Sequence, residues 1–449
     1  MLTKDLVRNW LLKKHPRALS SIKYLLAPAR RLKSFAKRAV RPMSERSWEY
    51  WVASREAEKV RRLKQKGAVH VVFIIIHHAT WKADKLYELL FRDPEFHPSV
   101  IIAPDMARPV EWAEAYMRMS AEFFQSRGIK YYLASRDEHE NTSLVKSINP
   151  EIVIFNNPHG LTCRSLHKDL LAQRLACYIP YHMEVGCYND DQDQYNRPFH
   201  NAMWRIFAPH DCSLGTFKRV GRRRGENVVV TGYPGVEALI AQKESKPNDP
   251  WRLLGRKRII WAPHHTIDMP SLPYASFLRY AEYFRKLVEV HAEHVQWCFK
   301  PHPLLKPKLI KHPDWGPERT EEYFGFWETH PVTQLELGAY VGLFRNSDAM
   351  IHDSGSFLAE YLYVNKPVMF LWSSSHVTRY FNEFGLDALH ASERGNDESG
   401  IDRFLSDIME GVDRAAARRS QFLSRHPAIV EGKPPSQRIL DELKASLIA

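Results

Sequence analysis

Short apolar runs alternate with helical patterns along most of this sequence of 449 residues, and this alternation limits the fold more than any other feature. The first run, 69–76, is continuously apolar and rich in β-branched residues, which is typical of a strand buried in a parallel sheet. Repeated βα units of this kind predict parallel sheets covered by helices. The predicted strands are 69–76, 99–103, 129–133, 152–155, 176–179, 205–208, 227–230, 258–261, 295–299, 349–351 and 368–371.

The length of the chain predicts two domains, because a single hydrophobic core rarely serves more than about 250–300 residues. Gly232, Pro234 and Gly235, followed by the polar stretch 242–250, are typical of a linker between domains. We therefore predict an α/β protein with two Rossmann-like domains, 67–240 and 241–449, that face a cleft. A helix is predicted at 335–345, and residues after about 400 are expected to form C-terminal helices of the second domain.

Residues 1–66 form a basic segment that precedes these domains. They contain 19 Lys and Arg against 5 Asp and Glu, whereas the whole chain has a net charge of +12. Basic and apolar residues alternate here, and Trp48, Tyr50 and Trp51 follow, as in amphipathic helices that lie in a membrane interface. We expect this segment to bind an anionic membrane surface. One alternative is a solvated arm, and another is non-specific contact with nucleic acid. We do not expect nucleic acid to be a partner of this protein.

The cysteines and the apolar runs exclude several classes of protein. The five cysteines are odd in number and show no CxxC spacing, so we expect reduced thiols in a cytosolic protein, not a disulfide or zinc framework. The longest strongly apolar run, 71–76, is far shorter than the roughly 20 residues that span a bilayer. Basic residues interrupt every apolar stretch near the N-terminus, which is unlike a signal peptide.

Polar groups follow four predicted strands of the C-terminal half. The carboxyl ends of parallel strands meet at one edge of a sheet, where ligands bind in open α/β proteins, so we expect these groups to share one cleft. The groups are PHHT (263–266), KPHP (300–303), HDSGS (352–356) and WSSS (372–375).

The turn formed by Ser354, Gly355 and Ser356 is the most informative of these groups. It lies between a strand and a helix, where free backbone N–H groups favour an anion such as a diphosphate. Simple capping of the helix by a serine is the alternative. Lys300 and His302 follow another strand of the same sheet, and both residue types stabilise the charge that develops when a pyrophosphate linkage breaks.

We expect no metal ion at this cleft. The sequence contains neither an HExxH motif nor a cysteine cluster. Asp191 and Asp193 have a spacing seen at divalent-cation sites, but they lie in a polar run that favours a solvated loop. His264 and His265 are adjacent, and adjacent residues of an extended chain point in opposite directions, so we expect one to face the cleft and the other to be structural.

Histidines also follow strands of the N-terminal half. A neutral imidazole there can remove a proton from an acceptor hydroxyl. His182 is the first candidate for this general base and His159 is the second. His77 and His78 follow the first strand and are weaker candidates. A satisfied structural histidine is the alternative for each of them.

Three segments resemble the CDP-glycerol glycerophosphotransferase family, whose members build teichoic acids and related capsule polymers. The segments are IIWAPHHTI (259–267), FKPHPLL (299–305) and SDAMIHDSGSFLAEYLYVNKPVMFLW (347–372). The resemblance extends upstream to YIPYH (178–182) and ENVVVTGYPGVEAL (226–239), and it covers about residues 150–375.

This resemblance implies a GT-B fold whose C-terminal domain binds the donor CDP-glycerol. It also implies metal-independent transfer to lipid-linked acceptors by a peripheral enzyme at the cytoplasmic face of the cell membrane. The His-Pro histidine of the family corresponds to His302, the basic residue before it to Lys300, and the Ser/Thr-rich turn to residues 354–356. The family's Trp-His-Gly-Thr motif, which carries the base, corresponds to residues 181–184, which differ from it in three of four positions.

The sequence therefore predicts a transferase that moves glycerol phosphate, or a related polyol phosphate, from a CDP-linked donor to a hydroxyl of a membrane-bound acceptor and releases CMP. One alternative is a GT-B glycosyltransferase that uses a nucleotide sugar, and another is a nonenzymatic protein that binds polyanions. His182, His159 and His302 are the predicted catalytic residues. The predicted donor-binding residues are His265, Thr266, Lys300, Asp353, Ser354, Gly355, Ser356 and Glu360, which we expect to reach the ribose.

Overall fold

The computed structural model describes residues 43–241, 249–269, 272–338, 340–372, 374 and 376–448. The chain divides into two compact units, and the first ends at Arg55. The described part of that unit is one helix, α1 (Met43–Ser54), on which Tyr50 and Trp51 are exposed. Residues 1–42, which make up most of the predicted membrane-binding segment, lie outside the described residues.

The second unit, Glu56–Ala449, contains both predicted sheets. The first sheet has seven parallel strands in the order β3-β2-β1-β4-β5-β6-β7. Its strands are β1 (Val69–Ile75), β2 (Phe96–Ile102), β3 (Tyr131–Leu133), β4 (Ile152–Phe155), β5 (Leu175–Tyr178), β6 (Arg205–Ala208) and β7 (Val228–Val230).

The second sheet has six parallel strands in the order β10-β9-β8-β11-β12-β13. In both sheets the first strand along the chain lies inside the sheet and the strand order reverses beside it, which is the doubly wound pattern of a Rossmann-like domain. The strands are β8 (Lys257–Ala262), β9 (Val295–Phe299), β10 (Thr333–Leu335), β11 (Ala349–His352), β12 (Val368–Leu371) and β13 (Glu393–Gly395).

Helices connect the strands of the second unit and cover both sheets. They are α2 (Glu56–Leu63), α3 (Asp84–Arg92), α4 (Val110–Ser126), α5 (Glu138–Ile148), α6 (Lys168–Gln173), α7 (Gln192–Tyr195), α8 (Pro198–Asn201), α9 (Asp211–Val220), α10 (Glu237–Ile240), α11 (Phe277–Val290), α12 (Leu305–Lys311), α13 (Gly316–Thr329), α14 (Val341–Asn346), α15 (Gly355–Glu360), α16 (Glu383–Ala391), α17 (Glu398–Glu410), α18 (Ala416–Arg425) and α19 (Pro435–Ile448). No helix among the described residues is long and apolar enough to cross a membrane.

The predicted fold class is confirmed, since each half of the second unit is a parallel sheet with helices around it. The helix predicted at 335–345 is partly wrong. Thr333–Leu335 is a strand at the edge of the second sheet, and the helix begins only at Val341. Strands β10 and β13, with three residues each, lie at the two edges of the second sheet and were not predicted.

The last helix, α19, packs against the first sheet although the chain reaches it after the second. Ile439, Leu440 and Leu443 are buried in one cluster with residues of β1, β2 and α3. The Lys444 ammonium lies 2.7 Å from a carboxylate oxygen of Asp93, and Arg205 forms an ion pair with Glu442 at 2.8 Å. The chain therefore crosses back, and the final helix completes the core of the first domain.

A short strap, formed by residues 185–187 and 380–382, joins the two domains beside the carboxyl ends of their strands. The backbone N–H of Asn382 donates to the carbonyl of Val185 at 3.0 Å, and that of Cys187 donates to the carbonyl of Tyr380 at 2.9 Å. Between these bonds, Gly186 and Phe381 form an isolated bridge. The strap brings the loop after β5 against the second domain, so both sets of strand ends border one cavity.

Candidate functional site

A cavity of about 980 Å³ lies between the carboxyl ends of the two sheets. This volume is large enough for a nucleotide diphosphate with a small attached group. The predicted site residues that line it are His182, Lys300, His302, Ser354, Ser356 and Glu360. The remaining predicted residues, His159, His265, Thr266, Asp353 and Gly355, are not part of its lining.

Lys300 is fixed at the end of β9 by its backbone and by its ammonium group. Its N–H donates to the carbonyl of Trp261 on β8 at 2.8 Å, and Nζ donates to the carbonyl of Gly338 at 2.9 Å. The residue is only 6% exposed, and burial lowers the pKa of its ammonium group. Its hydrogen-bond partner is a neutral carbonyl group, and the negative charge of Glu336 opposes the lowering of its pKa. A buried ammonium held in this way can attract an anion.

His302 presents an N–H group to the cavity. Its Nδ1 accepts a hydrogen bond from the backbone N–H of Leu304 at 3.1 Å. Burial lowers the pKa of His302 to about 3, with His265, Lys308 and Lys300 contributing, so the ring is neutral. Because Nδ1 is an acceptor, the single proton of the neutral ring lies on Nε2. His302 is thus a neutral hydrogen-bond donor on the cavity wall.

His264 and His265 both contact His302, which corrects the prediction that they point in opposite directions. The ring centroid of His302 lies 5.1 Å from that of His264 and 4.1 Å from that of His265. The prediction failed because β8 ends at Ala262, so the two histidines do not lie in an extended strand. Thr266 is buried behind them, where its Oγ1 lies 3.0 Å from Nδ1 of His264 and accepts from the N–H of Ala275 at 3.2 Å.

This histidine cluster, His264, His265 and His302, is the group of described residues with metal-ligand spacing, since its ligand atoms lie within 4.8 Å of one another. Burial lowers the pKa of all three rings, and the positive charge of Lys308 contributes to each shift. The proton on Nε2 of His302 occupies the position that a metal would need.

Asp353 has a structural role instead of the predicted direct contact with the donor. Its carboxylate is fully buried and accepts from the N–H of His264 at 2.5 Å and from the N–H and hydroxyl of Ser276 at 2.6 and 2.7 Å. Burial raises its pKa to about 6. The carboxylate therefore holds the loop after β8 in place from behind the histidine cluster.

The turn at Ser354, Gly355 and Ser356 lies where the sequence predicts it, between β11 and α15. Ser354 is the residue before the helix, yet its side chain makes no capping hydrogen bond, so the capping alternative does not account for it. Both serines line the cavity. A Cβ on Gly355 would lie 3.1 Å from the ring of Tyr274, so glycine allows this close packing of the turn.

Glu360 forms a buried contact across the cavity with residues that the sequence does not single out. Tyr340 donates a hydrogen bond to its carboxylate, and the Nζ of Lys82 lies 4.7 Å from the centre of the Tyr340 ring. Burial raises the pKa of Glu360 and lowers that of Lys82, and the attraction between the two charges opposes both shifts. Lys82 comes from the first domain, so its role depends on a long-range contact that no local pattern reveals.

His182 lines the cavity but does not have the protonation that a general base requires. Its Nδ1 accepts from the backbone N–H of Glu184 at 2.9 Å. Burial lowers its pKa to about 4, so the neutral ring carries its proton on Nε2 and donates from there. His159 lies outside the cavity lining, and burial lowers its pKa as well. The predicted assignment of the base to His182 or His159 therefore lacks support from this geometry.

Comparisons with known proteins identify the fold. No protein-family model matches the chain, and no curated protein is significantly similar to it in sequence. The wall teichoic acid polymerase TagF, in a variant soaked with CDPG, has a TM-score of 0.57 and 12% identity, covering 91% of this chain and 98% of that chain. S. aureus MnaA with UDP has a TM-score of 0.55 and 16% identity, covering 86% and 98%.

The UDP-GlcNAc 2-epimerase of Neisseria meningitidis, bound to UDP-GlcNAc, has a TM-score of 0.54 and 16% identity, covering 84% of this chain and 100% of that chain. Identities this low establish the fold alone: two Rossmann-like domains in a GT-B-like arrangement. Enzymes with different activities share this fold, so function has to be argued from the residues of the cavity.

Proposed function

We propose that this protein is an enzyme that transfers a polyol phosphate, most simply glycerol phosphate, from a CDP-linked donor to a hydroxyl of a membrane-bound glycan or polymer and releases CMP. One observation carries the proposal. The Lys300 ammonium and the Nε2–H of His302 follow β9, and the hydroxyls of Ser354 and Ser356 follow β11, on the other side of β8 in the same parallel sheet; all four residues border one cavity. Cationic and neutral donors at one place match the oxygens of a diphosphate.

In this proposal the donors of the second domain hold the diphosphate and stabilise the CMP that leaves. Gly355 lets the backbone approach the phosphates, and His265 supports the ring of His302. Asp353 and Thr266 keep the loop after β8 in place. Glu360 accepts hydrogen bonds from the ribose hydroxyls. Since Lys300 and the histidine cluster supply the electrostatic stabilisation, we propose that the transfer requires no metal ion.

The similarity to TagF supports the choice of a CDP-linked donor, and the similarity to MnaA and the epimerase supports a nucleotide sugar as the second candidate. We propose that the acceptor is lipid-linked and that the basic segment 1–66 holds the enzyme on the cytoplasmic face of an anionic membrane. Helix α2 ends this segment, and its Glu56 lies 2.6 Å from the Arg223 guanidinium in the second unit. A deletion of residues 1–42 should therefore remove most of the basic residues of the segment without disturbing this contact.

The test is to incubate the full chain with CDP-glycerol, CDP-ribitol, UDP-glucose or UDP-GlcNAc in the presence of vesicles that contain a synthetic lipid with a glycerol phosphate head group. Release of CMP that persists with a chelator supports the proposal, and release of UDP alone supports the second candidate. A nonenzymatic polyanion-binding protein would release neither nucleotide. It would also bind vesicles equally well after His302→Ala and lose binding when residues 1–42 are deleted.

A further inference from the structure

The proposed reaction needs a group that accepts the proton of the attacking hydroxyl, and the first domain offers one on the wall of the cavity. His78 follows β1 and lines the cavity together with Phe123 and Arg127 of the first domain. Its ring stacks on the ring of Phe123 with a centroid distance of 5.2 Å. The Arg127 guanidinium lies 3.7 Å from the centre of the same Phe123 ring.

Ser120 determines which nitrogen of His78 carries the proton. The Ser120 hydroxyl donates its single proton to the carbonyl of Tyr116 at 2.8 Å, one turn earlier in α4. The same oxygen lies 3.2 Å from the backbone nitrogen of His78 and 3.2 Å from its Nδ1. Since the hydroxyl proton is already used, both nitrogens of His78 donate to the oxygen. The proton of the neutral ring is therefore on Nδ1, and Nε2 keeps a free lone pair.

The charges around His78 keep the ring neutral before the reaction. Burial lowers its pKa, and the positive charges of Arg127 and Lys82 lower it further. His77 is the adjacent titratable group, and its ring packs against Trp112 and Tyr116 on the same helix, at 5.2 and 4.2 Å. No described residue hydrogen-bonds to Nε2 of His78. The lone pair is thus available to a ligand in the cavity, in contrast to the protonated Nε2 of His182.

We propose that the first-domain end of the cavity, formed by His78, Phe123 and Arg127, is the subsite for the acceptor hydroxyl, and that Nε2 of His78 accepts its proton. This inference rests on the proposed function. The acceptor oxygen forms a bond to the phosphorus that carries the polyol. The bond from this phosphorus to the bridging oxygen of the diphosphate breaks, and CMP leaves with that oxygen and the electron pair. The proton of the hydroxyl passes to Nε2, and the imidazolium then releases it to solvent.

The test compares His78→Ala with the full-length wild-type chain, using CDP-glycerol and the glycerol phosphate lipid as substrates. We expect the turnover number for CMP release to fall by about 10²–10⁴-fold, which is typical of a lost general base. The dissociation constant of CDP-glycerol, measured by calorimetry, should stay within about twofold, because the donor is bound by the other domain. Added imidazole should restore part of the turnover. His139→Ala, on an exposed position of α5, is the matched control and should behave as wild type.

Ser120→Ala separates a chemical role from a structural one. It removes the oxygen that fixes the tautomer but keeps the imidazole, so we expect a loss of turnover of roughly tenfold and a changed pH profile with unchanged donor affinity. Wild-type turnover in His78→Ala, or loss of donor binding in a folded variant, would overturn this assignment and leave the proposed function intact. If the wild-type chain released no nucleotide from any donor, both proposals would be wrong.

Discussion

His302 and His78, which follow strands of different sheets, differ in the ring nitrogen that carries the proton. After β9, Nδ1 of His302 accepts from a backbone N–H, so Nε2 is a donor. After β1, Nδ1 of His78 donates to the Ser120 hydroxyl, so Nε2 is an acceptor. Histidines at corresponding places in two βα units can therefore bind an anion in one case and take up a proton in the other.

A local turn produces the donor form repeatedly. In His182, His302 and His312, Nδ1 accepts from the N–H of the residue two positions later, at distances of 2.9, 3.1 and 3.2 Å. The acceptor form at His78 instead requires a side chain from a helix more than 40 residues away. The donor form depends on the turn alone, whereas the acceptor form depends on tertiary packing.

Among the histidines of the second sheet, His302 should show the largest loss of activity when it is replaced. His302→Ala removes an N–H donor from the wall at which we propose the leaving group is stabilised, and turnover should fall by about 10²–10³-fold, as when one oxyanion donor is lost. His302→Gln keeps an N–H donor and should lose less. Steady-state release of CMP measures both variants. Equal losses for glutamine and alanine would show that hydrogen-bond donation is not the role of this ring.

The contribution of His352 to the free energy of unfolding should depend on pH. His352 is fully buried, and burial lowers its pKa from 6.5 to about 3. A folded-state pKa below the unfolded value means that the unfolded chain binds more protons below pH 6.5, so this stabilisation is present above pH 6.5 and is lost as the pH falls toward 3. Between pH 6.5 and 5 the loss should be about 2 kcal/mol for this group.

Denaturant unfolding of His352→Gln at several pH values checks this prediction. The variant should lose less stability than wild type between pH 6.5 and 5, whatever its stability at pH 7. His78→Gln is the matched comparison from the other sheet, and its pH slope should differ less from wild type because that ring is only half-buried. An unchanged slope in His352→Gln would show that the ring is already protonated or solvated in the folded state.

Much of this architecture could be predicted from the sequence because it depends on local patterns. Continuous apolar runs indicated the inner strands, and the polar residues that follow them indicated one edge of a parallel sheet. The side chains of Lys300, His302 and Ser354 therefore line one cavity, as predicted. The edge strand β10 was not predicted, because its sequence, Thr-Gln-Leu, is not a continuous apolar run.

The parts that could not be predicted depend on contacts between distant residues. Asp353 follows β11 like a ligand-binding residue, yet it is not part of the cavity lining, and its carboxylate holds the loop that follows β8. Lys82 approaches Glu360 from the other domain. The tautomer of His78 follows from Ser120, which is 42 residues away along the chain, and this is why the sequence did not favour His78 as the base.

The smallest predicted effect is at His182, and it tests the comparison most directly. The sequence favours this residue as the base, whereas its Nε2–H makes it a donor at the cavity wall. His182→Gln keeps an N–H donor and should lower turnover by less than about tenfold, and His182→Ala should lose about tenfold, the equivalent of one neutral hydrogen bond. Parallel assays with His78→Ala decide between the two residues. His182 is the base if His182→Gln loses as much turnover as His78→Ala and if added imidazole restores no more turnover to His78→Ala than to His139→Ala. The difference in tautomer between His78 and His302 would then have no catalytic role.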